Sequence, residues 1–210
     1  MTRMNSRCPI VLSLVLGVFA CVPQPEGELP NDDPRDAGPE LVLASTDFTR
    51  DIISTALDLD LALLRGKATI ELAPSTASTG AAFEIGDLGI TSVVGAEGAL
   101  DFKVADHVLS VGMAHGSTQL IVEYDLAAHD QFNGWDPAAG LTFLWPTFCG
   151  NLFPCKSDPA DGATFTLDVT GPGTTDRVIF PTSIPTPAPA YMVAVAVGDF
   201  HEVELGTTIA

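Results

Sequence analysis

Apolar and polar residues alternate with a period of two along much of this chain. Every second residue from Leu57 to Leu61 is leucine, and Ala68–Leu72 repeats the alternation. Successive side chains of a β-strand point to opposite faces, so this pattern predicts strands with one buried face. Arg65 and Gly66 are expected to form the turn between these first two strands.

Further segments of the same kind follow along the chain. Phe83–Val94 is expected to form one strand interrupted by Gly86 and Gly89, since glycines inside a strand are typical of bulges. The other predicted strands are Leu100–Val104, Val108–Val111, Gln119–Tyr124, Phe165–Val169, Arg177–Phe180 and Met192–Phe200. No segment shows a convincing helical period. The sequence therefore predicts an all-β domain built as an antiparallel β-sandwich.

Residues 1–20 predict a signal peptide for export. Two arginines precede the apolar run Ile10–Ala20, which is too short to span a membrane stably. Cys21 follows directly, as in a lipoprotein signal, where this cysteine is lipidated and becomes the new N-terminus. Ordinary secretory cleavage after Ala20 is the alternative. We therefore expect export, with a lipid anchor on Cys21 in a bacterial membrane or, alternatively, secretion.

Residues 21–46 predict a disordered tether, because prolines and carboxylates leave too little apolar surface to form a core. Residues 47–210 have the length of one domain with a sizeable core. The chain carries 9 basic and 27 acidic residues, and its net charge is −18. Such a surface repels nucleic acid phosphates, so nucleic acid is excluded as a partner.

Cysteine usage agrees with export. Cys8 lies in the signal and Cys21 is the candidate anchor, so the predicted domain holds Cys149 and Cys155. In an oxidising compartment these two either form a disulfide, or Cys155 stays a buried free thiol. Two thiolates without nearby histidines would make only half a zinc site, so no metal is predicted in this chain.

Several segments resemble the N-terminal β domain of the aminopeptidase N-like zinc metallopeptidases, peptidase family M1. Residues 149–165, CGNLFPCKSDPADGATF, resemble the FPCxDxPxxKATF segment near the end of that domain. Other similar segments occur in the same order as in the family, namely Leu57–Ile70, Phe83–Val93, Leu120–Tyr124 and Tyr191–Phe200. The resemblance covers about Ile52 to Ala210 and implies a saddle-like β-sandwich.

The resemblance also implies a partner. In the family this β domain packs beside a catalytic domain that carries GxMEN and the zinc-binding HExxH. Neither motif occurs in these 210 residues. The resemblance therefore implies a non-catalytic N-terminal domain of an exported M1-family zinc metalloaminopeptidase, present as a fragment, a truncated form or a stand-alone domain. We expect this chain alone to be inactive, with zinc only in the missing catalytic domain.

The segment before the disulfide candidates carries aromatic residues that either line a pocket or anchor the loop on the core. In several relatives a Gln or Glu eight or nine residues before the FPC-like corner contacts the substrate's amine, and here Trp145 occupies that place. The resemblance thus implies Trp145, Phe148 and Phe153 as a wall of the substrate cleft. The alternative function is a lipid-anchored β-sandwich that binds protein or peptide and has no enzymatic role.

We predict that Cys21→Ser releases the protein from membranes, because it removes the acceptor of the lipid. Fractionation of cells that express either form measures this, with Cys8→Ser as the matched control inside the cleaved signal. Membrane association that persists in Cys21→Ser would rule out the anchor.

Overall fold

A computed structural model describes residues 47–113, 116–171, 173, 177–201 and 203, which lie in the compact unit Leu41–Ala210. The signal at 1–20, the tether at 21–46 and the candidate anchor Cys21 lie outside the described residues. No helix in the described part of the chain has the length and apolar character needed to cross a membrane.

The described residues form strands and two short 3-10 helices. The strands are β1 Ile52–Asp60, β2 Arg65–Leu72, β3 Gly80–Glu84, β4 Gly89–Gly95, β5 Gly98–Ala99, β6 Phe102–Ala105, β7 Val108–Gly112, β8 Gln119–Asp125, β9 Trp135–Asp136, β10 Leu141–Thr142, β11 Ala163–Thr170, β12 Arg177–Ile179, β13 Ser183–Ala188 and β14 Ala196–Gly198. The 3-10 helices are Cys149–Asn151 and Ala190–Met192. The predicted all-β class is confirmed.

The strands belong to three sheets. The large sheet has the order β13-β11-β1-β2-β8-β4-β5, the side sheet β12-β14-β10-β9 and the small sheet β3-β7-β6. β1 and β11 pair in parallel, whereas the other pairs among these strands are antiparallel. The predicted antiparallel architecture is therefore confirmed, with the β1–β11 pair as an exception that the sequence did not indicate.

The alternation seen in the sequence separates the two faces of the large sheet. Leu59, Ile70 and Leu120 are fully buried on its inner face. Phe83 and Leu109, from the small sheet, are equally buried and join the same core cluster. The hydrophobic core therefore extends continuously from the large sheet to the small one.

The predicted turn at Arg65 and Gly66 is wrong, because both residues pair inside β2. The chain turns at residues 61–64 instead. Asp60 stabilises this turn, since its Oδ1 accepts hydrogen bonds from the main-chain N–H groups of Ala62 at 3.0 Å and Leu63 at 2.8 Å. An aspartate that caps the following backbone is a common turn initiator.

The single strand predicted over Phe83–Val94 is two strands of different sheets. Gly86 has a φ of +45°, a conformation that glycine adopts without a steric penalty, and there the chain leaves the small sheet. It enters the large sheet at Gly89 as β4. A bulge does occur, but between Ile90 and Ser92 rather than at either glycine.

The chain beyond residue 180 also differs from the prediction. Met192–Phe200 contains only the short strand β14, after a 3-10 helix. β13 was not predicted, because Pro185 and Pro187 interrupt its pattern. It lies at the edge of the large sheet, where the missing N–H groups of proline are tolerated.

The ring of Tyr124 lies directly over Gly66 and leaves no room for a side chain at this position. A Cβ on Gly66 would lie 2.3–2.6 Å from the ring and hydroxyl atoms of Tyr124. Tyr124 is only 2% exposed, and its hydroxyl has no hydrogen-bond partner among the described residues. Burial raises the pKa of this phenol. The Tyr124 ring therefore packs directly against the main chain of β2 at Gly66.

We predict that Gly66→Ala lowers the free energy of unfolding by about 1–3 kcal/mol, the usual cost of overpacking a core. Urea unfolding of both proteins measures it. Gly89→Ala is the matched control, because a Cβ there would meet its nearest atom at an ordinary 3.6 Å. Equal midpoints for Gly66→Ala and the control would contradict the packing described.

Candidate functional site

The segment that carried the family resemblance forms a compact corner. Its 3-10 helix Cys149–Asn151 is followed by main-chain hydrogen bonds from Leu152 and Phe153 to the Cys149 carbonyl, at 3.0 and 3.1 Å. Cys149 and Cys155 are joined by a disulfide with an S–S distance of 2.02 Å. Of the two alternatives that the sequence left open, the structure contains the disulfide. Both cysteines are buried.

The corner is joined to the small sheet. Cys155 and Glu84 of β3 exchange two main-chain hydrogen bonds of 2.8 and 3.1 Å. The Glu84 carboxylate also accepts hydrogen bonds from Ser157, 3.2 Å from its N–H and 2.9 Å from its hydroxyl. Gly150 permits the close approach, since a Cβ there would lie 2.8 Å from the main-chain nitrogen of Gly86.

Asn151 extends the corner to a second loop. Its side-chain Oδ1 accepts a hydrogen bond from the Asp87 N–H at 3.2 Å, and its Nδ2 donates to the main-chain carbonyl of Asn133. Asn151 is only 8% exposed. Because a buried amide is costly to leave unpaired, these bonds hold the turn after β3 and the loop around Asn133 in fixed positions.

Main-chain hydrogen bonds close the loop around Asn133. Ala128 and Trp135 form a bridge, and the His129 N–H donates to the Trp135 carbonyl at 2.8 Å. The Phe143 N–H donates to the Gly134 carbonyl at 2.9 Å. Trp135 is 1% exposed and anchors the loop in the core. The backbone that carries the neighbouring aromatic residues is therefore well constrained.

Three aromatic side chains project from this constrained backbone into solvent. Phe143 and Trp145 are 41% and 58% exposed, whereas Leu144 between them is buried. Phe132 is 55% exposed and meets Phe143 edge to face, with 6.2 Å between ring centroids. We call Phe132, Phe143 and Trp145 the aromatic surface.

The three residues proposed from the resemblance as a cleft wall do not lie together on one exposed face. Trp145 is exposed and Phe148 is half-buried. Phe153 is 1% exposed and packs edge to face on Phe165, at 5.9 Å between centroids, so its assignment to an exposed wall is wrong. Phe132 was missed. Its proximity to Phe143 depends on the loop closure, which leaves no periodic signal in the sequence.

A nearly buried lysine that follows the corner bonds to the segment just before β1. Lys156 Nζ lies 2.9 Å from Asp161 Oδ2 and also donates to the main-chain carbonyl of Arg50. Arg50 is itself buried, and its guanidinium donates to two main-chain carbonyls. A hydrogen bond with the Asp161 carboxyl raises the pKa of Asp51.

The corner does not fit a metal centre. Among the described residues, Glu84, Cys149 and Cys155 have potential ligand atoms within 4.8 Å of one another. The two sulfur atoms are bonded to each other, however, and Glu84 already accepts two hydrogen bonds from Ser157. Zinc requires free thiolates, so this cluster has a structural role.

The outer face of the large sheet carries a ladder of charges. Lys67 of β2 lies between Asp58 of β1 and Glu123 of β8 in the strand register, and its Nζ is 3.0 Å from Asp58 Oδ2. Arg65 lies in the same way between Asp60 and Asp125. Exposed cross-strand pairs of this kind contribute little to stability, and they make the face well hydrated.

Comparison with known proteins supports the fold. No protein-family profile matches the sequence, and no curated protein matches it significantly. Among solved structures, the M1 zinc metallopeptidase from Deinococcus radiodurans is similar, with a TM-score of 0.60 and 19% identity over 75% of this chain and 45% of that one. Leukotriene A4 hydrolase from Saccharomyces cerevisiae is similar too, with a TM-score of 0.61 and 17% identity over 75% of this chain and 30% of that one.

The chain therefore has a fold that occurs in M1 zinc metallopeptidases, and the resemblance recognised in the sequence is confirmed at the level of the fold. It spans less than half the length of either structure, 45% and 30% respectively.

We predict that replacing Cys149 and Cys155 together by alanine lowers the free energy of unfolding by about 2 kcal/mol, the chain-entropy value for so short a loop. Urea unfolding measures this. Reductant should destabilise the wild type similarly and leave the double variant unchanged. A wild-type midpoint that does not respond to reductant would contradict a structural role of the disulfide.

Proposed function

We propose that this chain is the non-catalytic N-terminal domain of an exported M1-type zinc metalloaminopeptidase, and that it packs against a catalytic domain and forms part of the wall of its substrate cleft. The observation that carries the proposal is the fold match over 75% of this chain to M1 zinc metallopeptidases whose chains extend well beyond the matched 30–45%.

Exposed apolar side chains beside the side sheet support a partner that packs there. Many of those in the described part of the chain lie on or beside the short strands of the side sheet: Phe132, Phe143, Trp145, Ile179, Met192 and Phe200. Large exposed apolar patches commonly mark interaction sites. The outer face of the large sheet, with its charge ladder, would be costly to dehydrate. We therefore place the catalytic domain against the aromatic surface.

The chemistry of the aromatic surface suggests what it does in the cleft. Trp and Phe provide large contact area with few rotatable bonds, and aromatic residues are enriched at binding surfaces. Neither Phe143 nor Trp145 offers a carboxylate or amide, so this face would contact apolar parts of a substrate or of the catalytic domain. Recognition of the substrate's amine would then come from the catalytic domain, which would also hold the zinc.

Export and lipid anchoring complete the proposal. We propose that the signal at 1–20 directs export, and that Cys21 and the tether at 21–46 attach the domain to a membrane outside the cytoplasm. The Cys149–Cys155 disulfide agrees with this, because such bonds persist mainly in oxidising compartments.

We predict that purification of the tagged chain from its native cells, after mild cross-linking, recovers a polypeptide with GxMEN and HExxH, in the same chain or in a separate one. Mass spectrometry identifies it. The purified chain alone should show neither aminopeptidase activity nor stoichiometric zinc. Recovery of other proteins without any M1-type polypeptide would refute the proposal and favour a lipid-anchored binding module.

Paired variants test where the partner docks. Phe143→Asp with Trp145→Asp should reduce the recovery of the M1-type polypeptide, because a charge replaces each apolar contact. Val104→Asp is the matched control, since Val104 is 47% exposed on the small sheet and is not part of the aromatic surface. Equal losses in both variants would show that the aromatic surface is not the docking site.

A further inference from the structure

The loop between β8 and β9, residues 126–134, has a conformation that its own residues do not favour. We call it the aromatic loop, because it carries Phe132. The φ of Phe132 is +54°, a left-handed backbone that bulky residues rarely adopt. Among the described residues, His129 Nε2 and Asn133 Oδ1 are buried without a hydrogen-bond partner. Both features cost free energy, so the loop needs contacts from other segments to keep this conformation.

Asn151 makes such a contact from the corner. Its Nδ2 donates a hydrogen bond to the main-chain carbonyl of Asn133, the residue that follows Phe132. Asn151 is itself held, because its Oδ1 accepts a hydrogen bond from the Asp87 N–H at 3.2 Å. The unfavourable backbone of the aromatic loop is therefore bonded directly to a side chain whose position the corner determines.

The disulfide fixes the short helix that carries Asn151. Cys149 is the first residue of this 3-10 helix, and Cys155 exchanges two main-chain hydrogen bonds with Glu84 of β3. The S–S bond thus closes a ring that contains Asn151 and joins it to the small sheet. A 3-10 helix of three residues has few hydrogen bonds of its own, so loss of the S–S bond would let Asn151 move away from Asn133.

We propose that the disulfide holds the aromatic loop in the conformation that docks the catalytic domain, so that the chain gains its docking surface only after export. This inference rests on the proposed function and adds an order of events to it. In the reduced chain the loop relaxes, and Phe132 loses its edge-to-face contact with Phe143. Docking then has to order the loop again, which weakens binding.

Formation of the disulfide is an oxidation. The thiols of Cys149 and Cys155 together lose two protons and two electrons as the S–S bond forms. The oxidant is a protein disulfide of the compartment outside the cytoplasm, which thiol–disulfide exchange converts to a dithiol. Both cysteines are 1% exposed in the folded domain, so the closed bond is shielded from surrounding thiols. Oxidation therefore marks the exported chain once and does not act as a reversible switch.

Limited proteolysis of the purified chain with chymotrypsin tests the role of the disulfide without any partner. Cleavage after Phe132 measures how often the aromatic loop opens. We expect Cys149→Ala with Cys155→Ala to be cleaved there roughly tenfold faster than the oxidised wild type, within the range that a disulfide across so short a loop supplies. Cleavage after Leu63, which is exposed in the turn between β1 and β2, should not change.

A second variant tests the connection through the side chain. Asn151→Ala keeps the disulfide and should also be cleaved faster after Phe132, so it carries the comparison should the double variant not fold. Ser157→Ala is the matched control in the corner, because the Ser157 hydroxyl bonds to Glu84 and not to the aromatic loop. Circular dichroism melts identify the variants that are folded at the assay temperature. Wild-type cleavage rates after Phe132 in either folded variant would overturn the proposal.

Recovery of the M1-type polypeptide after mild cross-linking then tests docking. The double variant and Asn151→Ala should recover less of it than the wild type, whereas Ser157→Ala should recover the same amount. Equal recovery by the wild type and the double variant would overturn the role of the disulfide in docking and leave the proposed function intact. A wild type that recovers no M1-type polypeptide would refute the proposed function, and the docking step with it.

Discussion

The carboxamide of Asn151 and the disulfide next to it hold together segments that lie far apart in the sequence. Asn151 bonds to Asp87 after β3 and to Asn133 in the loop before β9. Cys155 pairs with Glu84 at the end of β3. Around this corner the small sheet, the aromatic loop and the return strand β11 take their relative positions. Without it, the aromatic loop would lose its hydrogen bond to Asn151.

The constraint explains how a short, irregular stretch can keep aromatic side chains exposed. Strands β9 and β10 have two residues each, too few to be stable alone. The buried side chains of Trp135 and Leu144 anchor these strands in the core, and the corner holds the loop that precedes them. The backbone therefore has little freedom to rearrange, and it keeps three aromatic side chains exposed: Phe132, Phe143 and Trp145. Preorganised aromatic residues bind with a smaller loss of entropy than mobile ones.

The parts of the fold that could be predicted are those where burial imposes a period. β2 and β8 alternate throughout and β1 alternates from Thr55 onward, because one face of the large sheet packs on the core. The strands of the side sheet are too short to show a period. The prolines of β13 interrupt the alternation that would have predicted this strand. The burial of Phe153 and the contact of Phe132 with Phe143 depend on tertiary closure, which no local pattern records. The sequence allowed either a disulfide or a free Cys155, because spacing alone does not determine pairing.

Amide hydrogen exchange tests most directly whether the corner holds the aromatic loop. The amides of His129 and Phe143, which donate to Trp135 and Gly134, should exchange slowly in the oxidised protein. Reduction of the disulfide should accelerate both, while the amides of β1, β2 and β8 stay protected. Rapid exchange at His129 and Phe143 in the oxidised protein, or protection that reduction leaves unchanged, would contradict the account.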